Sequence, residues 1–194
     1  MDRRKFLKGT ATVVPATIGL QMLATRFAWA QTADFGSDED VLNYALTLEF
    51  LEADFYRQGV DAGILSGREA ALVGPIAEHE AAHVSQLSST VSDLGGEPVK
   101  EPKFKYPAGT FEDKAMFLET ASVFEELGVN AYHGQVTAIE NVDILAAAAS
   151  IAGVESRHAA VLADLIGGEP FPAPVEAAKS MKQVLKAAMP FIKS

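Results

Sequence analysis

Glu80-Ala81-Ala82-His83 and Glu155-Ser156-Arg157-His158 are the two stretches on which the reading of this 194-residue chain turns. In each, a carboxylate precedes an imidazole by three positions, which on an α-helix sets both side chains on one face, a turn apart. The chain has four histidines, and two of them carry this spacing. Some 30 residues upstream of each pair stands a glutamate with a tyrosine seven positions on: Glu49 and Tyr56, then Glu125 and Tyr132. The first motif recurs after 76 residues and the second after 75, so both halves read Glu-x6-Tyr and then Glu-x-x-His. A duplication of this kind suits a two-fold bundle built around a shared centre.

No alternating strand pattern follows Gln31, and the spacing of apolar residues predicts an all-α fold. Long helices are expected over about 38–58, 68–94, 110–136 and 142–166, with a shorter amphipathic helix over about 175–188. The stripes run through Leu42, Leu46 and Tyr56; Val73, Ile76, Leu87 and Val91; Leu118, Ala121 and Val129; Ile151 and Leu162. Thr110 reads as the N-cap of the third helix, Gly74-Pro75 as a kink or restart in the second, and Gly167-Gly168 as the stop of the fourth. Short links near Gly59–Gly67 and Ile139–Asn141 make antiparallel hairpins. Between the hairpins lies Gly95–Gly109, with three prolines and no helical period. Fifteen extended residues reach about 50 Å, whereas a 25-residue helix is about 38 Å long, so this segment can run the full length of a bundle.

The informative side chains are acids and imidazoles in the middle of apolar stripes. Glu49, Glu80, Glu125 and Glu155 each interrupt such a stripe, one per helix. Burying a single unpaired carboxylate costs several kcal/mol, so four that converge must protonate, pair with bases or bind cations. Matching bases are missing from the stripes, and two divalent ions would balance four carboxylates while His83 and His158 add neutral ligands. Mixed oxygen and nitrogen ligation favours iron or manganese over calcium, with zinc a further alternative.

These residues resemble the ferritin-like superfamily of di-iron carboxylate proteins, in particular exported bacterial ferritin-like and desiccation-related proteins. The resemblance lies in Leu42–Gln58, Ala77–Gln86, Phe124–Tyr132 and Val154–Ala163, and it covers the chain after the leader except the C-terminal helix. It implies a four-helix bundle of two hairpins joined by a long crossover. It also implies Glu49, Glu80, His83, Glu125, Glu155 and His158 as ligands of two iron ions, or of manganese in their place, with Glu80 and Glu155 bridging. Glu126 is the rival of Glu125 but sits about 100° round the helix. Glu52, one turn from Glu49, reads as an extra ligand or as an internal salt-bridge partner. Glu78 is expected in solvent, and His79 and His133 off the ligand face. Tyr56 and Tyr132 are either hydrogen-bond donors to ligand carboxylates or ordinary amphipathic core residues.

Residues 1–30 read as an address: a basic head with Arg3-Arg4-Lys5-Phe6-Leu7-Lys8, an apolar middle, and Ala28-Trp29-Ala30 before Gln31. This resembles a twin-arginine export signal cut after Ala30, which implies the twin-arginine machinery as a partner and a periplasmic or otherwise exported domain over 31–194. The formal charge of −10 averages that basic leader with a domain of −14. An acidic domain has the wrong field for nucleic acid. The absence of cysteine excludes disulfides, cysteine nucleophiles, cysteine zinc sites and iron–sulfur clusters. The function that the resemblance implies is reaction of a dinuclear metal centre with dioxygen or peroxide, in iron handling or oxidative-stress defence. The alternative is a non-enzymatic stress or desiccation-related envelope protein in which metal only stabilises the fold. Partly apolar outer faces suit a homodimer, and the C-terminal helix either caps the bundle or contacts a neighbour.

Overall fold

Ser37 starts the first helix: its hydroxyl accepts from the Asp40 amide at 3.2 Å, and Asp38, Glu39 and Asp40 fill the first turn, where the helix dipole favours acids. The structure, a computed structural model, describes residues 35–193. The leader expected over 1–30 and its cut after Ala30 lie outside the described residues. Helix α1 spans Asp38–Ala62, α2 Gly67–Asp93, α3 Lys114–Gln135, α4 Val142–Leu165 and α5 Met181–Ala188. Single-turn 3₁₀ segments follow α3 at Val136–Ala138 and α5 at Met189–Phe191. No strand forms among the described residues; the single bridge is Phe104 to Ile192.

Two expected boundaries need correction. Helix α3 begins at Lys114, not near Thr110, because Asp113 is the residue whose side chain accepts from an orphan amide, that of Met116 at 2.9 Å. Thr110 is fully buried, and its hydroxyl donates to the Pro107 carbonyl at 2.8 Å in the turn before the helix. Helix α5 begins at Met181, not near Val175, because Ser180 and Gln183 form a reciprocal capping box that fixes the start there. At the other joints the expectation is close, and α1 runs on to Ala62, where Gly63 at φ 65° ends it in the left-handed region. Pro75 neither breaks nor restarts α2. The carbonyl it leaves unpaired belongs to Ala71, which is exposed and can bond to water.

Two buried clusters fix the directions of the helices. One contains Leu42, Leu46, Leu87, Val91, Ile144 and Ile151. The other is rich in aromatics and includes Phe55, Tyr56, Val73, Phe117, Phe124 and Leu162. Chain order then makes α1 and α4 run from the aliphatic to the aromatic end, and α2 and α3 the opposite way. Helix α1 packs mainly on α2 and α3 mainly on α4, as two hairpins. The crossover must therefore travel the whole bundle, and its anchors show the path. Glu97 bonds to Glu39 and Asn43, Val99 to Asn43, and Tyr106 to Leu51 and Asp54, all along α1.

The C-terminal segment folds back on its own bundle. Val184 and Ala188 are fully buried, and the Phe191 ring meets Phe124 edge to face at 4.8 Å. Gly134 permits this: a Cβ there would lie 1.9 Å from the Lys179 carbonyl oxygen. The tail thus caps the bundle, one of the two roles expected for it.

Candidate metal centre

Between the aliphatic and aromatic clusters lies a layer in which apolar packing gives way to carboxylates and imidazoles. Helix α1 supplies Glu49 and Glu52, α2 supplies Glu80 and His83, α3 supplies Glu125, and α4 supplies Glu155 and His158. None of these seven side chains is more than 7 % exposed. Each helix carries its acid one to two turns from the large apolar residues that lock it in the bundle, so the layer is held by core packing on both sides.

The side chains converge in two overlapping groups. Glu49, Glu80, His83 and Glu155 bring one ligand atom each within 4.8 Å of one another, and Glu80, Glu125, Glu155 and His158 do the same. Glu80 and Glu155 belong to both. The Glu80 carboxylate faces each way: Oε2 lies 3.3 Å from His83 Nδ1 and Oε1 lies 2.9 Å from His158 Nδ1. Glu155 Oε1 lies 3.2 Å from His83 Nδ1 and 4.0 Å from His158 Nδ1.

The tyrosines resolve into donors, and they do so crosswise. Tyr56 of the first half donates to Glu125 Oε1 of the second half at 2.6 Å. Tyr132 of the second half donates to Glu49 Oε1 of the first. Each tyrosine occupies one oxygen of its glutamate and leaves Oε2 turned to the centre. Among the described residues both Oε2 atoms are buried without a hydrogen-bond partner, as are Glu80 Oε1, both Glu155 oxygens and His158 Nδ1. Buried polar atoms are nearly always satisfied, so six orphans in one layer need a shared partner. These atoms approach one another without the alignment of hydrogen bonds. A donor set of carboxylate oxygens and imidazole nitrogens around a common space fits divalent cations.

Electrostatics carry the same message. Burial, reinforced by the Glu80 charge, raises Glu49 from 4.5 to about 7. Burial and neighbouring carboxylates hold Glu52, Glu125 and Glu155 above the ordinary carboxylate range as well. Burial opposes a charge on the histidines, but the carboxylates outweigh it: Glu155, Glu49 and Glu80 push His83 up to about 12, and Glu125 and Glu80 push His158 up to about 10. The layer is starved of positive charge, and protons or metal ions can supply it.

The remaining expected residues separate cleanly. Glu126 and Glu78 are exposed, away from the layer. His133 Nδ1 lies 2.9 Å from the Val129 carbonyl oxygen. His79 is exposed, yet its Nδ1 lies 2.9 Å from His158 Nε2, a contact that sequence spacing gave no sign of because it joins α2 to α4. Glu52 is inside the layer, and among the described residues no basic side chain pairs with it, so the internal salt bridge that its spacing allowed does not form there.

The family profile described as a ferritin-like domain matches residues 37–168. The chain belongs to the ferritin-like family. The matched ferritin-like domain takes in α1 to α4, the crossover and all seven side chains of the buried layer, and it leaves α5 outside. Among curated proteins no relative matches the chain. As a ferritin-like bundle it offers a buried acid and histidine cluster with the donor set for metal.

Proposed function

We propose that this ferritin-like domain is exported, holds two iron ions, or two of manganese, in the buried layer, and reacts with dioxygen or peroxide in iron handling or oxidative-stress defence. The observation that carries this reading is the pair of overlapping four-residue groups that share Glu80 and Glu155. Glu49, Glu80, His83 and Glu155 would hold one ion, and Glu80, Glu125, Glu155 and His158 the other. Such a pair, when bound, supplies two adjacent one-electron reductants to an oxidant.

The chain's own groups orient the ligands and manage protons. Tyr56 and Tyr132 fix the Glu125 and Glu49 carboxylates by one oxygen and leave the other free to coordinate. Were Nδ1 of His158 to ligate a cation, its one remaining proton would reside on Nε2 and be donated to Nδ1 of His79, 2.9 Å away. Burial and the neighbouring imidazoles of His158 and His83 hold His79 below its usual pKa, so it stays a neutral acceptor. The two flanking apolar clusters keep bulk water off the layer. Export is supported by the twin arginines, apolar middle and Ala28-Trp29-Ala30 of the leader.

The test is Fe(II) oxidation by dioxygen and by peroxide, followed in wild type and Glu80→Ala. Faster turnover in wild type supports the reading; equal rates contradict it. The burial of all seven side chains of the layer favours one second reading, a stress or desiccation-related envelope protein in which metal only ties the four helices together. That reading expects chelation to lower the melting temperature with no turnover under any oxidant.

A further inference from the structure

The two halves of the layer match at Glu49 and Glu125, Glu80 and Glu155, His83 and His158, and inside it they differ at Glu52. Glu52 stands three positions after Glu49 on α1, and the equivalent position three after Glu125 on α3 is Gly128. The glycine is not idle: a Cβ built on it would lie 3.1 Å from Glu52 Oε1 and 3.0 Å from Glu155 Oε2. The Glu52 carboxylate thus reaches across the bundle from α1 into a notch that α3 leaves open. It is 3 % exposed, and no hydrogen bond or ion pair among the described residues accounts for it. The neighbouring charges that act on it most strongly are Glu155 and Glu125, ahead of Glu80 and its own helix mate Glu49.

We infer that Glu52 is a seventh metal ligand, bound to the ion held by Glu125 and His158, and that Gly128 is the notch which admits it. The inference rests on the proposed dinuclear centre. It makes the two positions unequal: one would have Glu52, Glu80, Glu125, Glu155 and His158, the other Glu49, Glu80, His83 and Glu155. The first is tied to α1 as well as to α2, α3 and α4, while the second keeps the larger share of open coordination. The charge balance changes too, since five buried carboxylates exceed the four positive charges of two divalent ions. An extra buried negative charge favours the more highly charged state of the pair.

The experiment is anaerobic calorimetric titration of Fe(II) into the metal-free chain, in wild type, Glu52→Gln and Gly128→Ala, with melting curves of each metal-free variant. Glu52→Gln is expected to melt no lower than wild type without metal, because a strained buried carboxylate is gone. It should bind one ion as wild type does and the other at least about tenfold more weakly, the least that loss of a ligand-supporting group costs. Unchanged binding of both ions in Glu52→Gln would overturn the inference and leave the dinuclear reading intact. A wild-type chain that takes up no Fe(II) would overturn both. Should Glu52→Gln fail to fold, Gly128→Ala decides: its methyl crowds Glu52 and also the shared Glu155, so weakening of one ion alone supports the inference, and equal weakening of both, or wild-type affinity for both, defeats it.

Discussion

The first hairpin, α1 with α2, and the second, α3 with α4, are the same device built twice, and they differ at one position inside the shared layer and one beside it. Glu49, Tyr56, Glu80 and His83 answer to Glu125, Tyr132, Glu155 and His158. Against that symmetry, Glu52 faces Gly128, and His79 has its counterpart in Val154. The symmetric residues are the converging acids and imidazoles and the tyrosines that donate to them; in the proposed centre the asymmetric ones would distinguish one metal position from the other. Two identical halves would give two identical positions, so the differences are where a directional reaction can be built.

The symmetry can be broken most severely at the shared acids. Glu80→Ala and Glu155→Ala each remove a member of both groups, and each is expected to abolish uptake of both ions by metal analysis after anaerobic loading. Loss from one of them alone would mean that the halves are not equivalent at the centre. Next in size, Glu49→Ala and Glu125→Ala each touch one group. Each is expected to leave about one ion per chain in the same assay.

The crossed tyrosines come third. Tyr56→Phe and Tyr132→Phe each delete a donor to a terminal glutamate, and affinity for the dependent ion should fall about 10- to 100-fold by calorimetric titration. Equal losses in the two variants would show that the two-fold extends to ligand support. A pH dependence comes last, and its sign follows from proton binding. Glu49 moves from 4.5 to about 7 on folding, His83 from 6.5 to about 12 and His158 from 6.5 to about 10, so the metal-free folded state binds more protons than the unfolded one. The Glu49 contribution is lost as pH rises through 4.5 to about 7, and the histidine contributions as it rises from 6.5 towards about 10 and 12. The melting temperature of metal-free protein should therefore fall between about pH 5 and about pH 8, while metal-loaded protein, in which cations displace those protons, should gain over the same range.

Much of this was readable from residues because the signals were local and repeated. Apolar stripes located α1 to α4, and the recurrence of Glu-x6-Tyr and Glu-x-x-His singled out the six side chains that meet. What was not readable depended on packing. A glutamate and a tyrosine seven apart lie about 10 Å apart along one helix, so Tyr56 cannot reach Glu49, and only the antiparallel packing of α1 on α3 assigns it to Glu125. Periodicity set Glu52 near Glu49 on one face, but its burial depends on the space over Gly128 across the bundle. Thr110 and Asp113 were both chemically able to cap α3, and burial of Thr110 against the crossover turn decided between them.

The most direct test of the central claim is anomalous diffraction from crystals of the iron-loaded chain, collected on both sides of the iron absorption edge. Two peaks inside the bundle, one among Glu49, Glu80, His83 and Glu155 and the other among Glu80, Glu125, Glu155 and His158, are the predicted result. Iron confined to surface carboxylates, with the buried layer bare, would contradict it.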